Sequence, residues 1–109
     1  MVDNCVQTTK QLLKVLNIAH TSKYIENNIL SHPDHPSLLS ISETLTKYNI
    51  ETLAVKIDSK KLNEMPMPCI VQVAVNGATL FFVVKNVLEK SVNYYDDKNK
   101  LIIAAKEDF

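Results

Sequence analysis

The apolar residues of this 109-residue chain change their spacing along its length, from helical steps of three and four up to Tyr48 to sustained alternation from Cys69 onward. That switch constrains the fold more than any single motif, because the helical period buries a stripe and the two-residue period buries one face of a strand. From Cys5 to Ile18 the positions Val6, Leu12, Leu13, Val15, Leu16 and Ile18 predict a first helix. Thr21 or Ser22 can cap a second helix running to Leu30, with Tyr24, Ile25, Ile29 and Leu30 as its buried side. Pro33 and Pro36 interrupt it. Beyond Cys69, Val71, Val73 and Val75 alternate with Gln72 and Ala74, and Asn76-Gly77 supplies a two-residue hairpin turn. The returning strand is Thr79 to Lys85; two more, Ser91 to Tyr95 and Lys100 to Ala104, flank the polar turn Asp96-Asp97-Lys98-Asn99. Helices first and antiparallel strands second imply an α+β fold, three N-terminal helices packed on one face of a C-terminal sheet.

The link between the halves is Ser31 to Lys56, S-H-P-D-H-P-S-L-L-S-I-S-E-T-L-T-K-Y-N-I-E-T-L-A-V-K. Pro36 suits a first helical turn, where its missing N–H costs nothing, with Asp34 or His35 as the capping residue. Leu38, Ile41, Leu45 and Tyr48 form the apolar stripe that docks this third helix on the sheet, while Ser40, Glu43 and Lys47 face outward. Asn49 can take the left-handed conformation that ends a helix. Ile50 to Ile57 then alternates as a half-buried strand would, and Asp58 to Asn63 reads as a short helical turn.

That helix, turn and strand resemble the papain-like domains, family thirty-nine of the cysteine peptidases, that process double-glycine leader peptides on bacteriocin exporters. Leu62, then Met65-Pro66-Met67-Pro68 and the apolar run Cys69 to Val75, is similar to the family's leucine, spacer, proline and strand segment. Phe82-Val83-Val84 resembles its histidine-bearing strand, and Val92-Asn93-Tyr94-Tyr95-Asp96-Asp97 the strand that ends in the catalytic aspartate. The S-H-P-D-H-P-S-L-L-S form is more similar to versions fused to membrane oxidoreductases of the vitamin K epoxide reductase type than to exporter versions. The likeness covers nearly the whole chain and is weakest over Met1 to Gln11. Fused relatives continue into a tryptophan-containing strand where this chain stops, at Lys106-Glu107-Asp108-Phe109. The resemblance therefore implies one peptidase-like domain, 1–109, truncated from a longer membrane protein; a naturally short protein is the alternative.

Composition narrows the function classes. Lys plus Arg equals Asp plus Glu at 12 each, so no net field favours a nucleic acid. No apolar run reaches the roughly 18 residues of a membrane span, so direct membrane insertion is not expected. A single glycine excludes phosphate-cradling loops, and no cofactor is expected.

A cysteine peptidase needs a thiolate, a histidine to hold it ionised, and donors for the developing oxyanion. Cys5 is the one candidate nucleophile, because it lies at the start of the first helix, where the macrodipole lowers a thiol pKa. The resemblance puts the family's histidine at Phe81, immediately before the Phe-Val-Val strand, and phenylalanine cannot carry a proton. It puts the orienting aspartate at Asp96 or Asp97, left with no imidazole to orient. The family's D-C-G-x-A-C motif is absent, and no glutamine precedes Cys5. The resemblance thus implies that Cys5, Phe81, Asp96 and Asp97 are vestigial candidates for a catalytic set, none of them catalytic. Cys5 is expected to react as an ordinary free thiol and Cys69, at the head of an apolar strand, to be protected. His20 falls in a loop, and His32, Asp34 and His35 lack a fourth ligand, which reads as a capped turn rather than a metal site.

A peptidase fold without its chemistry keeps the surface that holds an extended peptide. Phe81, Tyr94 and Tyr95, with the Met65 to Met67 segment, are expected to line it, against a plainer reading as core or cross-strand pairs. The expected function is non-catalytic engagement of an extended peptide, or of the membrane portion of the parent protein, an oxidoreductase of the vitamin K epoxide reductase type or an ATP-driven ABC exporter. The alternatives are an active thiol peptidase cleaving leaders through Cys5, with its base elsewhere, and a purely structural domain. The implied location is cytoplasmic, tethered to the inner membrane through the parent.

Overall fold

A computed structural model of the chain describes residues 3–52, 59–75, 77–96, 98 and 100–105. Helices α1 (Asn4–Val15), α2 (Ser22–Leu30) and α3 (Leu38–Thr46) are each opened by a side-chain oxygen that satisfies an orphan N–H. Asp3 Oδ1 accepts from the Val6 N–H at 3.1 Å, Thr21 Oγ1 from Tyr24 at 3.3 Å, and Ser37 Oγ from Ser40 at 3.1 Å. The third cap corrects the expectation of Asp34 or His35: Ser37 is the residue whose hydroxyl reaches the first free N–H, and Pro36 stays outside the helix. α1 and α3 end alike. Asn17 (φ 58°) and Asn49 (φ 62°) turn left-handed, and the next residues, Ile18 and Ile50, donate back to the Leu13 and Leu45 carbonyls at 2.9 and 3.3 Å. In a chain with one glycine, asparagine terminates both helices.

A 3-10 helix, Ser59–Glu64, precedes four antiparallel strands: β1 (Cys69–Val75), β2 (Ala78–Val87), β3 (Ser91–Tyr95) and β4 (Leu101–Ala105). They form a meander in chain order. Val75 pairs with Ala78 across the expected two-residue turn, in which Gly77 has φ 81°. A bulge between Val84 and Asn86 shifts the register of β2 on β3. The strand expected over Ile50 to Ile57 falls largely on 53–58, outside the described residues, and Ile50, Glu51 and Thr52 are not in a strand.

Two cores flank the sheet. On one face Ile70, Phe81, Val83 and Tyr95 meet Cys5, Val6, Leu12 and Leu13 of α1, Ile25 and Ile29 of α2, and Ile41 and Leu45 of α3. On the other, Cys69, Val71, Val84, Val92 and Tyr94 pack with Leu62 and Met67. α1 lies directly on β2 and β1, while α2 and α3 pack on α1 and on each other. The stripe Ile41 and Leu45 therefore docks α3 mainly on its sister helices, which corrects the expectation that it docks on the sheet. Ser40 is buried, not outward, with its Oγ donating to the Ser37 carbonyl at 2.7 Å. Tyr24 and Leu30 are exposed, so only Ile25 and Ile29 anchor α2; Tyr24 instead sets its ring edge-on to Tyr48. Among the described residues no helix is long and apolar enough to cross a membrane.

Candidate functional site

The first turn of α1 lies against Phe81 on β2, through Asn4 rather than Cys5. β3 ends at Tyr95, opposite Val83, two residues short of Phe81. The Asn4 carboxamide takes the place of the missing strand. Its Nδ2 donates to the Phe81 carbonyl at 3.1 Å, and its Oδ1 accepts the Phe81 N–H at 2.6 Å. Thr8, one helical turn on, adds a donation from Oγ1 to the same carbonyl at 2.8 Å. The Phe81 ring is 4% exposed and belongs to the core. It gives a ligand almost no contact area, which corrects its expected place in a peptide-binding surface.

Cys5 points elsewhere. It is 2% exposed, with its sulfur beside the start of α3, close to the Ser37 backbone and the Ser40 hydroxyl. Burial pushes this thiol above its ordinary pKa and the Asp3 carboxylate pushes the same way; hydrogen bonds from Ser37 and Ser40 oppose them without prevailing. The expected lowering by the helix dipole is thus outweighed, and so is the expectation of an accessible free thiol. Cys69 is only partly buried, its Sγ 3.7 Å from Met67 Sδ, so the two cysteines exchange the degrees of protection expected of them.

The residues that gather around Cys5 are Asp3 and His35. His35 Nε2 lies 2.7 Å from Asp3 Oδ2, and one ligand-type atom from each of Asp3, Cys5 and His35 falls within 4.8 Å of the other two. His32 faces away from this group. Its Nδ1 accepts the Asp34 N–H at 3.0 Å, so Nε2 carries the proton and donates to Glu43 Oε2 at 2.7 Å. The structure does not bring His32, Asp34 and His35 together as one cluster: the two imidazoles are held by different acids, Glu43 and Asp3. His20 caps locally, its ring Nδ1 2.9 Å from the Ile18 carbonyl.

Asp96 closes the β3–β4 turn, its Oδ1 accepting from the Lys98 and Lys100 N–H groups, each at 2.9 Å. Asp97 lies outside the described residues. Asp96 also lines, with Gln7, Thr8, Gln11, Val83 and Tyr95, a narrow cleft between α1 and the end of β3. Tyr94 and Tyr95 point to opposite faces of the sheet: Tyr95 joins the helix-side core, whereas Tyr94 packs in the second core with its ring 5.5 Å from that of Phe82. Phe81, Tyr94 and Tyr95 cannot line one groove. Beside the cleft, Leu101 pairs with Tyr95 and Ile103 with Asn93, which sets both on the helix side of β4. The helices do not cover them, and they are 43% and 70% exposed.

A family model described as the peptidase C39 family matches residues 3–109, almost the whole chain, and it agrees with three helices followed by an antiparallel sheet. The chain belongs to the peptidase C39 family. No curated protein matches it by sequence.

Sequence reasoning missed Asn4, Asp3 and His35. Asn4 and Thr8 stand four apart, the spacing that puts two hydrogen-bonding side chains on one helical face, and Asp3 is a strong capping residue just before the first apolar step. Those signals were present in the chain. The meeting of His35 with them was not, because it depends on how the segment before α3 folds back over α1.

Proposed function

We propose that this peptidase C39 domain is a non-catalytic binding module for an extended peptide. The observation that carries the reading is the Asn4 carboxamide on the Phe81 backbone, beside a phenyl ring at the position where the family resemblance puts the imidazole. Cys5, one residue on, is sealed under α3 with a raised pKa. The surface with the right character is the rim of the cleft between α1 and the end of β3, Gln7 and Asp96, continued by Leu101 and Ile103. It offers amide and carboxylate groups for a peptide backbone beside uncovered apolar side chains. The peptide belongs to a client or to the membrane part of a longer parent, of the vitamin K epoxide reductase or exporter type, and the domain has a papain-like arrangement. An extended ligand loses conformational freedom on binding, so dissociation constants are micromolar or weaker, about 8 kcal/mol or less.

Chemical-shift mapping of the labelled domain with leader-like peptides tests this. The reading requires shifts at Gln7, Asp96, Leu101 and Ile103. Shifts confined to the Val84 and Tyr94 face, or none at millimolar peptide, leave a purely structural role as the better account. A second reading, a thiol peptidase, is favoured by one observation: His35, paired with Asp3, lies near Cys5 and could act as the base. It requires the Cys5 sulfur to become accessible, which alkylation of the folded protein measures.

A further inference from the structure

We propose that Asp3, Cys5 and His35 form a binding site for a borderline-soft divalent cation of the zinc type. The three side chains supply a carboxylate oxygen, a thiol sulfur and an imidazole nitrogen, the three donor classes that zinc accepts. Their ligand-type atoms lie within 4.8 Å of one another. A tetrahedral zinc with ligands at about 2.0–2.3 Å separates its donor atoms by about 3.3–3.7 Å, so adjustments of about 1 Å or less bring these three into place.

The surroundings fit the role. Asp3 Oδ1 is held by the Val6 N–H, which leaves Oδ2 as the free oxygen, now 2.7 Å from His35 Nε2. The Ser37 backbone hydrogen-bonds the Cys5 sulfur and opposes the rise in its pKa that burial and Asp3 cause, the kind of outer support that ligating groups need. Cys5 is buried while Asp3 and His35 are partly exposed, so the fourth position opens towards solvent and takes water or an exogenous ligand. Binding releases the thiol proton to solvent, together with any ring proton on the ligating nitrogen of His35. The partial positive charge at the start of α1 opposes a cation, but it is a fraction of one charge against a full thiolate and a full carboxylate. The site does not depend on peptide binding at the α1–β4 surface.

Cobalt(II) titration of the 109-residue chain, followed by absorption, is the test. The expected result is a thiolate-to-cobalt charge-transfer band with tetrahedral ligand-field bands, complete at one metal per chain and reversed by zinc. Cys5→Ser abolishes the charge-transfer band and Cys69→Ser leaves it. Asp3→Asn keeps a good helix cap while removing the anionic ligand, so its fold is retained, and it should weaken binding about tenfold or more, as should His35→Gln. Absence of the band at equimolar cobalt overturns the proposal. So does a band that survives both Asp3→Asn and His35→Gln, or one that disappears with Cys69→Ser.

Discussion

Replacing Asn4 by alanine removes the clamp between α1 and β2 and nothing else of comparable size. Two hydrogen bonds go, Nδ2 to the Phe81 carbonyl at 3.1 Å and the Phe81 N–H to Oδ1 at 2.6 Å. The losses are unequal. Thr8 Oγ1 still satisfies the carbonyl at 2.8 Å, so that bond costs its net value of about 0.5–1.5 kcal/mol. The Phe81 N–H loses the partner that stands in for a strand, and an unsatisfied, part-buried donor costs about 1–3 kcal/mol. Alanine returns about 0.5 kcal/mol through its better helix propensity. The expected destabilisation of Asn4→Ala is therefore about 1–4 kcal/mol, a large part of the roughly 5–15 kcal/mol typical of a domain. Thr8→Val should cost about 1 kcal/mol alone, and more in the Asn4→Ala background, where the carbonyl loses its last partner. Urea melts with an unchanged slope give these differences directly. An Asn4→Ala curve within about 0.5 kcal/mol of wild type, or simple additivity with Thr8→Val, would refute the clamp.

Cys69 should alkylate before Cys5 in the folded protein, and thiol-specific mass labelling below and above the unfolding midpoint checks the order. Because burial raises the folded-state pKa of Cys5, its protonated form is favoured by folding; that contribution is whole below the ordinary thiol pKa of about 8.5 and is lost as pH climbs through the raised value. Stability measured across alkaline pH should fall less in Cys5→Ala than in wild type. Leu45→Ala, at a site buried between α3 and its neighbours, should cost about 2–5 kcal/mol, and an overlaying melt would mean that the helix faces are wrong. Ile103→Lys, on the uncovered side of β4, should leave stability within about 0.5 kcal/mol and eliminate the peptide-induced shifts.

The parts of this fold that were legible are those governed by local physics. The change of period separated helices from strands, Asn49 marked a helix end, and Asn76-Gly77 marked the hairpin, because each depends on neighbours within a few residues. Ser40 shows where that stops. A serine off the apolar stripe reads as solvent-facing, yet it is buried because its hydroxyl finds the Ser37 carbonyl one turn back. The tyrosines show the same limit in the sheet: adjacent residues on a strand face opposite ways, and the alternation separates Tyr94 from Tyr95 even though both were attractive as ligand contacts. At the candidate site, resemblance to the C39 strand singles out Phe81. It does not single out Asn4, whose role depends on β3 stopping at Tyr95, or His35, which reaches Asp3 across 32 positions of chain.

The central claim is that a peptidase C39 fold is present here without peptidase chemistry. Incubation of the domain with a double-glycine leader peptide, followed by mass spectrometry of the peptide, tests it most directly. The account predicts that the peptide is recovered intact, in wild type and in Cys5→Ala alike. Cleavage after the double glycine by the wild-type domain, lost in Cys5→Ala and in His35→Gln, would contradict it and establish Cys5 and His35 as a working pair.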